Sequence, residues 1–166
     1  MNGNIQLIES VAQGLLERGL TLVTVESCTG GMIAAELTGI PGSSAWLEGA
    51  FVTYRLSAKI RMVGVAQTTL DRHGAVSEPT AREMAEGALA ACDAGISVSV
   101  TGVAGPDGGD LLAPVGTVWF GWAIRTPQPR CVQASRHQLS GSRAEVRGQA
   151  VRIALQGLQK ILTPAP

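Results

Sequence analysis

Thr21-Leu22-Val23-Thr24-Val25-Glu26-Ser27-Cys28-Thr29-Gly30-Gly31 reads as the joint between a strand and a helix. Thr21 to Val25 is a short β-branched run, suited to a buried strand. Two glycines then free the backbone, and Met32 to Leu37 reads as a helix that ends around Gly39 and Pro41. A strand that feeds a helix through a tight turn is the repeating unit of an α/β sheet, so this stretch sets the fold class.

The pattern continues on both sides. Upstream, Ile5, Leu7, Ile8, Val11, Leu15 and Leu16 recur at helical spacing, and Gly19 stops that helix. Downstream, Trp46 to Tyr54 reads as a second strand, followed by a short helix that Ser57 caps and that carries Lys59, Ile60, Met62 and Val63. Ser77 caps a further helix with Pro79 in its first turn, and its apolar side holds Met84, Ala85, Ala88 and Leu89. Ile96 to Val100 is another strand. Val115 to Ile124 and Cys131 to Gln138 read as neighbouring strands joined around Pro127 to Pro129, and Ala144 to Leu162 as a long closing helix. The Pro164-Ala165-Pro166 tail reads as frayed. Helices alternate with strands first and two adjacent strands come late. The expectation is one three-layer α/β/α domain over residues 1–166, built on a mixed, mostly parallel sheet.

Composition narrows the function. The chain has 166 residues, 45% of them hydrophobic, enough for an ordinary core. Thirteen basic and thirteen acidic residues cancel, and aromatics are 4%, so nucleic-acid binding finds neither a field nor stacking platforms. Cys28, Cys92 and Cys131 form no CxxC pair, which argues against a disulfide framework and structural zinc. The polar N-terminus lacks a signal pattern, and no apolar stretch approaches the roughly 18–20 residues of a membrane span. A cytoplasmic protein without membrane contact is the simplest reading. The 21 glycines cluster in a few loops, where backbone must come close to something else.

The Ser27 turn is the first place for chemistry. Free N–H groups at a helix start receive an oxyanion or a phosphate, and Gly30 and Gly31 let a ligand approach. Taken alone, the same pattern favours a plain helix cap by Ser27 or Thr29. A serine nucleophile needs a base. His73 lies in a turn and His137 on a strand between Arg136 and Gln138, and both read better as turn or surface residues. Lys59 is the better base: it falls in a first helical turn, where the dipole opposes a cation, beside apolar residues that desolvate it. Tyr54, at the preceding strand end, is placed to relay a proton or bond the lysine. Otherwise Lys59 is a solvated surface lysine.

Two further features remain. Thr101 to Pro106 follows a strand, the usual place for a ligand loop in open α/β sheets, with an irregular crossing as the alternative. No GK[ST] or GxGxxG accompanies it. Arg143 opens the last helix and can clamp a phosphate or carboxylate, with Arg147 one turn later facing the same way, unless both are solvated helix charges. Asp107 and Asp110 fall short of a metal-ligand set, so no metal is expected. Cys28 is an alternative nucleophile, its thiol lowered by the helix start.

The chain resembles the CinA C-terminal domain family, which includes stand-alone nicotinamide-nucleotide amidases. The resemblance runs nearly end to end through ordered blocks. They are Glu26 to Gly31, Pro41 to Ser44, Phe51 to Tyr54, Ala58-Lys59, His73 to Glu78, Val98 to Pro106, Pro114 to Val118 and Arg143 to Arg147. It implies hydrolysis of the carboxamide of nicotinamide mononucleotide to nicotinic acid mononucleotide and ammonia, with no cofactor or metal. It implies Ser27 as nucleophile, Lys59 and Tyr54 as activating partners, and Arg143 assisting. Thr29, Gly30 and Gly31, together with Thr101, Gly102, Ala104 and Gly105, would hold the oxyanion and the nucleotide. It also implies a homodimer or higher homo-oligomer. Two positions depart from the family pattern: Ala113 stands where many members carry lysine, and Arg55-Leu56-Ser57 replaces the more usual Ser-Asn-Glu. A nucleotide-binding, competence-associated module without turnover, or an amidase for another small amide, are the competing readings.

Overall fold

The computed structural model describes residues 2–163; the Pro164-Ala165-Pro166 tail lies outside them. In chain order the elements are α1 (Ile5–Arg18), β1 (Leu22–Glu26), α2 (Met32–Thr38), β2 (Leu47–Val52), α3 (Leu56–Val63), α4 (Gln67–His73), α5 (Glu78–Ala90), β3 (Ile96–Gly102), β4 (Thr117–Arg125), β5 (Pro129–Gln138) and α6 (Arg143–Leu162). The strands form one sheet in the order β2-β1-β3-β4-β5. β1 pairs in parallel with β2 and β3, whereas β4 is antiparallel to both of its neighbours. Only β4 therefore runs against the other strands, and the sheet is mixed with one dominant direction.

Two cores sandwich the sheet. On one face α1, α2 and α6 bury Leu15, Ile33 and Leu155 against Ile96, Val98, Phe120 and Trp122. On the other, α5 buries Met84, Ala85 and Leu89 against Val23 and Val25. Strand β3 alternates apolar and hydroxyl residues, as a half-exposed strand would, yet both its faces are covered. Its polar face is satisfied by the helix above it. Ser97 and Ser99 donate to the carbonyls of Ala85 and Ala81, both at 2.6 Å. Small residues let α5 sit this close; a Cβ on Gly121 would stand 2.6 Å from the Ala81 carbonyl oxygen.

Several local expectations shift. Arg55, not Ser57, is the N-cap of α3, which begins at Leu56. The sequence pattern misses α4, a short helix with a single buried residue, Leu70, and hence no apolar stripe. Ser77 does cap α5, accepting from the Thr80 N–H. Ser142 caps α6 through a capping box with Glu145.

The chain crosses from β1 to β2 on one side, then returns through α3, α4 and α5 to β3 on the other. The carboxyl ends of three parallel strands thus converge around the end of β1, where the direction of winding reverses. Crevices of this kind are where open α/β sheets bind ligands.

Candidate active site

The turn after β1 is built around Glu26. Its carboxylate is fully buried and accepts N–H groups from Gly31 (3.0 Å), Ile33 (3.1 Å) and Ala34 (3.0 Å), plus the Thr24 hydroxyl (3.2 Å). The Met32 N–H goes to the Thr29 carbonyl and the Gly30 N–H to the Ser27 carbonyl. The helix start is therefore already filled, and by the negative charge its dipole favours. This corrects the expectation that the N–H groups of Gly30 and Gly31 await an oxyanion. Among the described residues, the N–H groups left without an acceptor in this turn are those of Cys28 and Thr29. Gly30 (φ 59°) and Gly31 (φ 95°) are needed for the path of the turn itself.

Arg147 locks the turn from α6. Its Nε donates to the Cys28 carbonyl at 3.0 Å and its terminal nitrogen to that of Thr29 at 3.2 Å. It faces the turn as a fastener, and the expectation of a second ligand clamp beside Arg143 does not hold. Thr29 is buried within the turn, its hydroxyl without a protein partner among the described residues.

Ser27 projects from this frame toward Lys59. The lysine is 1% exposed, a rare place for a side chain that is an ammonium in water. Its Nζ lies 2.9 Å from Ser27 Oγ and 2.7 Å from the Thr53 carbonyl oxygen. The one ion pair among the described residues is Arg82–Glu78 on α5, so no carboxylate compensates Lys59. Burial lowers its pKa to about 8. A carbonyl oxygen can only accept, so Thr53 takes one amine hydrogen and thereby aims the nitrogen. In the neutral amine, the lone pair is left for the Ser27 hydroxyl proton. Thr53 is itself fixed, since its N–H donates to the Glu26 carbonyl at 2.8 Å.

Tyr54 is not bonded to Lys59 as the sequence suggested. It is 58% exposed, and its phenol oxygen accepts from Arg143 at 3.1 Å. Arg143 also donates to the Gly105 carbonyl at 3.0 Å, which ties the mouth of the site to the loop after β3. Ser27, Lys59, Tyr54 and Arg143 share one cavity of about 230 Å³ with Cys28, Ala75, Val76, Thr101, Gly102 and Ala104. Of the residues expected to hold substrate, Thr29, Gly30, Gly31 and Gly105 lie outside that lining. The Thr101 hydroxyl is engaged with the Ala75 carbonyl at 2.7 Å. Ala75 and Val76 were not anticipated as lining, although their glycine-led turn stood out in the sequence.

The Cys28 thiol behaves opposite to the sequence expectation. Burial outweighs its charged neighbours and raises its pKa to about 11. A thiol in that state offers almost no thiolate at neutral pH, which separates it from Ser27 with its adjacent amine.

The histidines lie elsewhere. His137 is 3.3 Å from Ser135 Oγ beside a larger cavity, about 480 Å³, between β5 and α6. That cavity is bigger but holds no carboxylate to orient the histidine and no buried amine, so its size does not make it the catalytic one. Among the described residues, no three His, Cys, Asp or Glu side chains converge as metal ligands would.

The model of the CinA C-terminal domain family matches residues 4–162. The nicotinamide-nucleotide amidohydrolase PncC of Escherichia coli (strain K12) is 53% identical over 154 residues, covering 93% of this chain and 92% of that one. PncC of Pseudomonas putida is 46% identical, covering 86% of each. Among solved structures, the competence damage-inducible protein A of Klebsiella pneumoniae superposes with a TM-score of 0.90 at 40% identity, covering 97% of this chain and 98% of that one.

Proposed function

Because the chain belongs to the CinA C-terminal domain family, we propose that it hydrolyses the carboxamide of nicotinamide mononucleotide to nicotinic acid mononucleotide and ammonia. The observation that carries the chemistry is the 2.9 Å approach of a buried, uncompensated lysine to Ser27 Oγ. The PncC relatives carry the substrate.

In the proposed reaction, neutral Lys59 takes the Ser27 proton as Oγ attacks the carboxamide carbon. The carbonyl oxygen becomes an oxyanion beside the free N–H of Cys28, which lines the cavity. The Lys59 ammonium then protonates the departing nitrogen, so ammonia leaves and Ser27 carries the nicotinoyl ester. Water, deprotonated by the same amine, attacks that ester and restores the serine. Tyr54 and Arg143 position the nucleotide at the mouth, and the Arg143 hydrogen bond polarises the phenol. The three unpaired thiols fit a reducing cytoplasm. The family resemblance supports assembly as a homo-oligomer as part of the same reading.

Ammonia release from nicotinamide mononucleotide by the purified protein tests this. Stoichiometric ammonia and nicotinic acid mononucleotide are expected. Nucleotide binding without ammonia would mean a binding module instead.

A further inference from the structure

The reaction fixes one end of the substrate only. The carboxamide carbon must reach Ser27, while a mononucleotide also carries a ribose and a phosphate dianion. The catalytic cavity holds one cation besides Lys59, and that cation, Arg143, stands engaged with Tyr54 and Gly105 at the mouth.

The segment His73-Gly74-Ala75-Val76, between α4 and α5, forms a wall of the catalytic cavity. Beyond it lies another cavity of about 150 Å³, and Ala75 and Val76 line both. The segment is pinned from beneath. Ser77 and Thr80 hydroxyls donate to the Gly74 carbonyl at 3.0 and 2.7 Å, and Thr101 to that of Ala75 at 2.7 Å. Its carbonyls are thus occupied, whereas the N–H groups of Ala75 and Val76 have no acceptor among the described residues. His73, exposed at the end of α4, lines the outer cavity. The carboxylate there, Asp110, turns Oδ1 back onto its own loop, accepting from Leu112 and Ala113 at 2.8 Å. This space is lined by a histidine and by a segment whose two N–H groups have no acceptor, a donor set suited to an anion.

We propose that this segment is the phosphate subsite of the enzyme: His73 and the N–H groups of Ala75 and Val76 hold the 5′-phosphate while the carboxamide lies at Ser27. The proposal rests on the amidase reading above and adds what makes the enzyme prefer a nucleotide over a nucleoside.

Steady-state kinetics on two amides with the same reacting end tests it. For nicotinamide mononucleotide, His73→Ala is expected to raise KM about tenfold or more with kcat little changed, the loss of one charge-assisted contact. For nicotinamide riboside, which lacks the phosphate, the same variant is expected to match the wild type, and His73→Arg to recover the nucleotide KM. Equal effects on both substrates, or no effect on either, would overturn the subsite. A wild-type protein that released no ammonia would strike the amidase reading instead. The subsite is then judged by calorimetric binding of nicotinamide mononucleotide: about tenfold weaker binding in His73→Ala supports it, and unchanged binding overturns it.

Discussion

Lys59→Met is expected to lower kcat/KM for nicotinamide mononucleotide by about 10³-fold or more while leaving the fold intact. The substitution removes the one group within reach of the Ser27 proton, so the hydroxyl must attack without a base. It also removes a cation that folding has to desolvate. A shift from 10.5 to about 8 corresponds to roughly 3 kcal/mol against the folded state wherever both states are protonated. Methionine leaves the Thr53 carbonyl without its amine partner, a cost of about 1–3 kcal/mol. The two terms nearly cancel, so thermal unfolding at neutral pH should show a melting temperature close to that of the wild type. The pH dependence carries the signature. Between about 8 and 10.5 the unfolded wild-type chain still binds the lysine proton that the folded one has released, so wild-type stability rises with pH there. Lys59→Met should lack that rise. A variant that kept its activity would show that Lys59 is not the base, and one that unfolded outright would show that its burial is stabilising.

Ser27→Ala is expected to abolish turnover by about 10³–10⁶-fold, since the nucleophile and its base act as a unit and losing either costs most of the rate. Ser27 lies 8% exposed at the cavity wall, and its main chain, not its side chain, makes the hydrogen bonds that hold the turn. The alanine protein should therefore fold and still bind the nucleotide. Cys28→Ala is the companion that separates the two nucleophiles of this turn. With its thiol at about 11, Cys28 should be replaceable with most activity retained. Ammonia release from the Ser27→Ala protein at wild-type rates, or its loss in Cys28→Ala, would transfer the nucleophile to sulfur.

The features legible in the sequence were those written in short-range patterns. The β-branched run before Ser27, the glycines after it and the spacing of α1 and α6 encode their elements locally. Lys59 in the first turn of a helix was enough to single it out, although burial rather than the helix dipole is the main cause of its lowered pKa. What stayed hidden depends on distant partners. Glu26 reads only as the residue that follows a strand, and only the folded turn shows its carboxylate filling the start of α2. The aiming of Lys59 by a carbonyl leaves no mark in the sequence, because any residue at position 53 supplies that oxygen. Tyr54 meets Arg143, 89 positions away, instead of the nearby Lys59. Cys28 illustrates competing effects: a position at a helix start predicts a lowered thiol, and burial in the tertiary structure reverses the sign. The acceptors of Ser97 and Ser99 are likewise out of reach of a local reading, because an α5 close enough to accept their hydroxyls is a property of the packing.

If an unprotonated Lys59 activates Ser27, the pH dependence of kcat/KM for ammonia release follows the titration of that amine. The rate is expected to climb with pH through an apparent pKa near 8 and then level, as the free enzyme's lysine loses its proton. A profile flat through that range, or one governed by a group titrating near 6.5 as a histidine would, would contradict that role for Lys59.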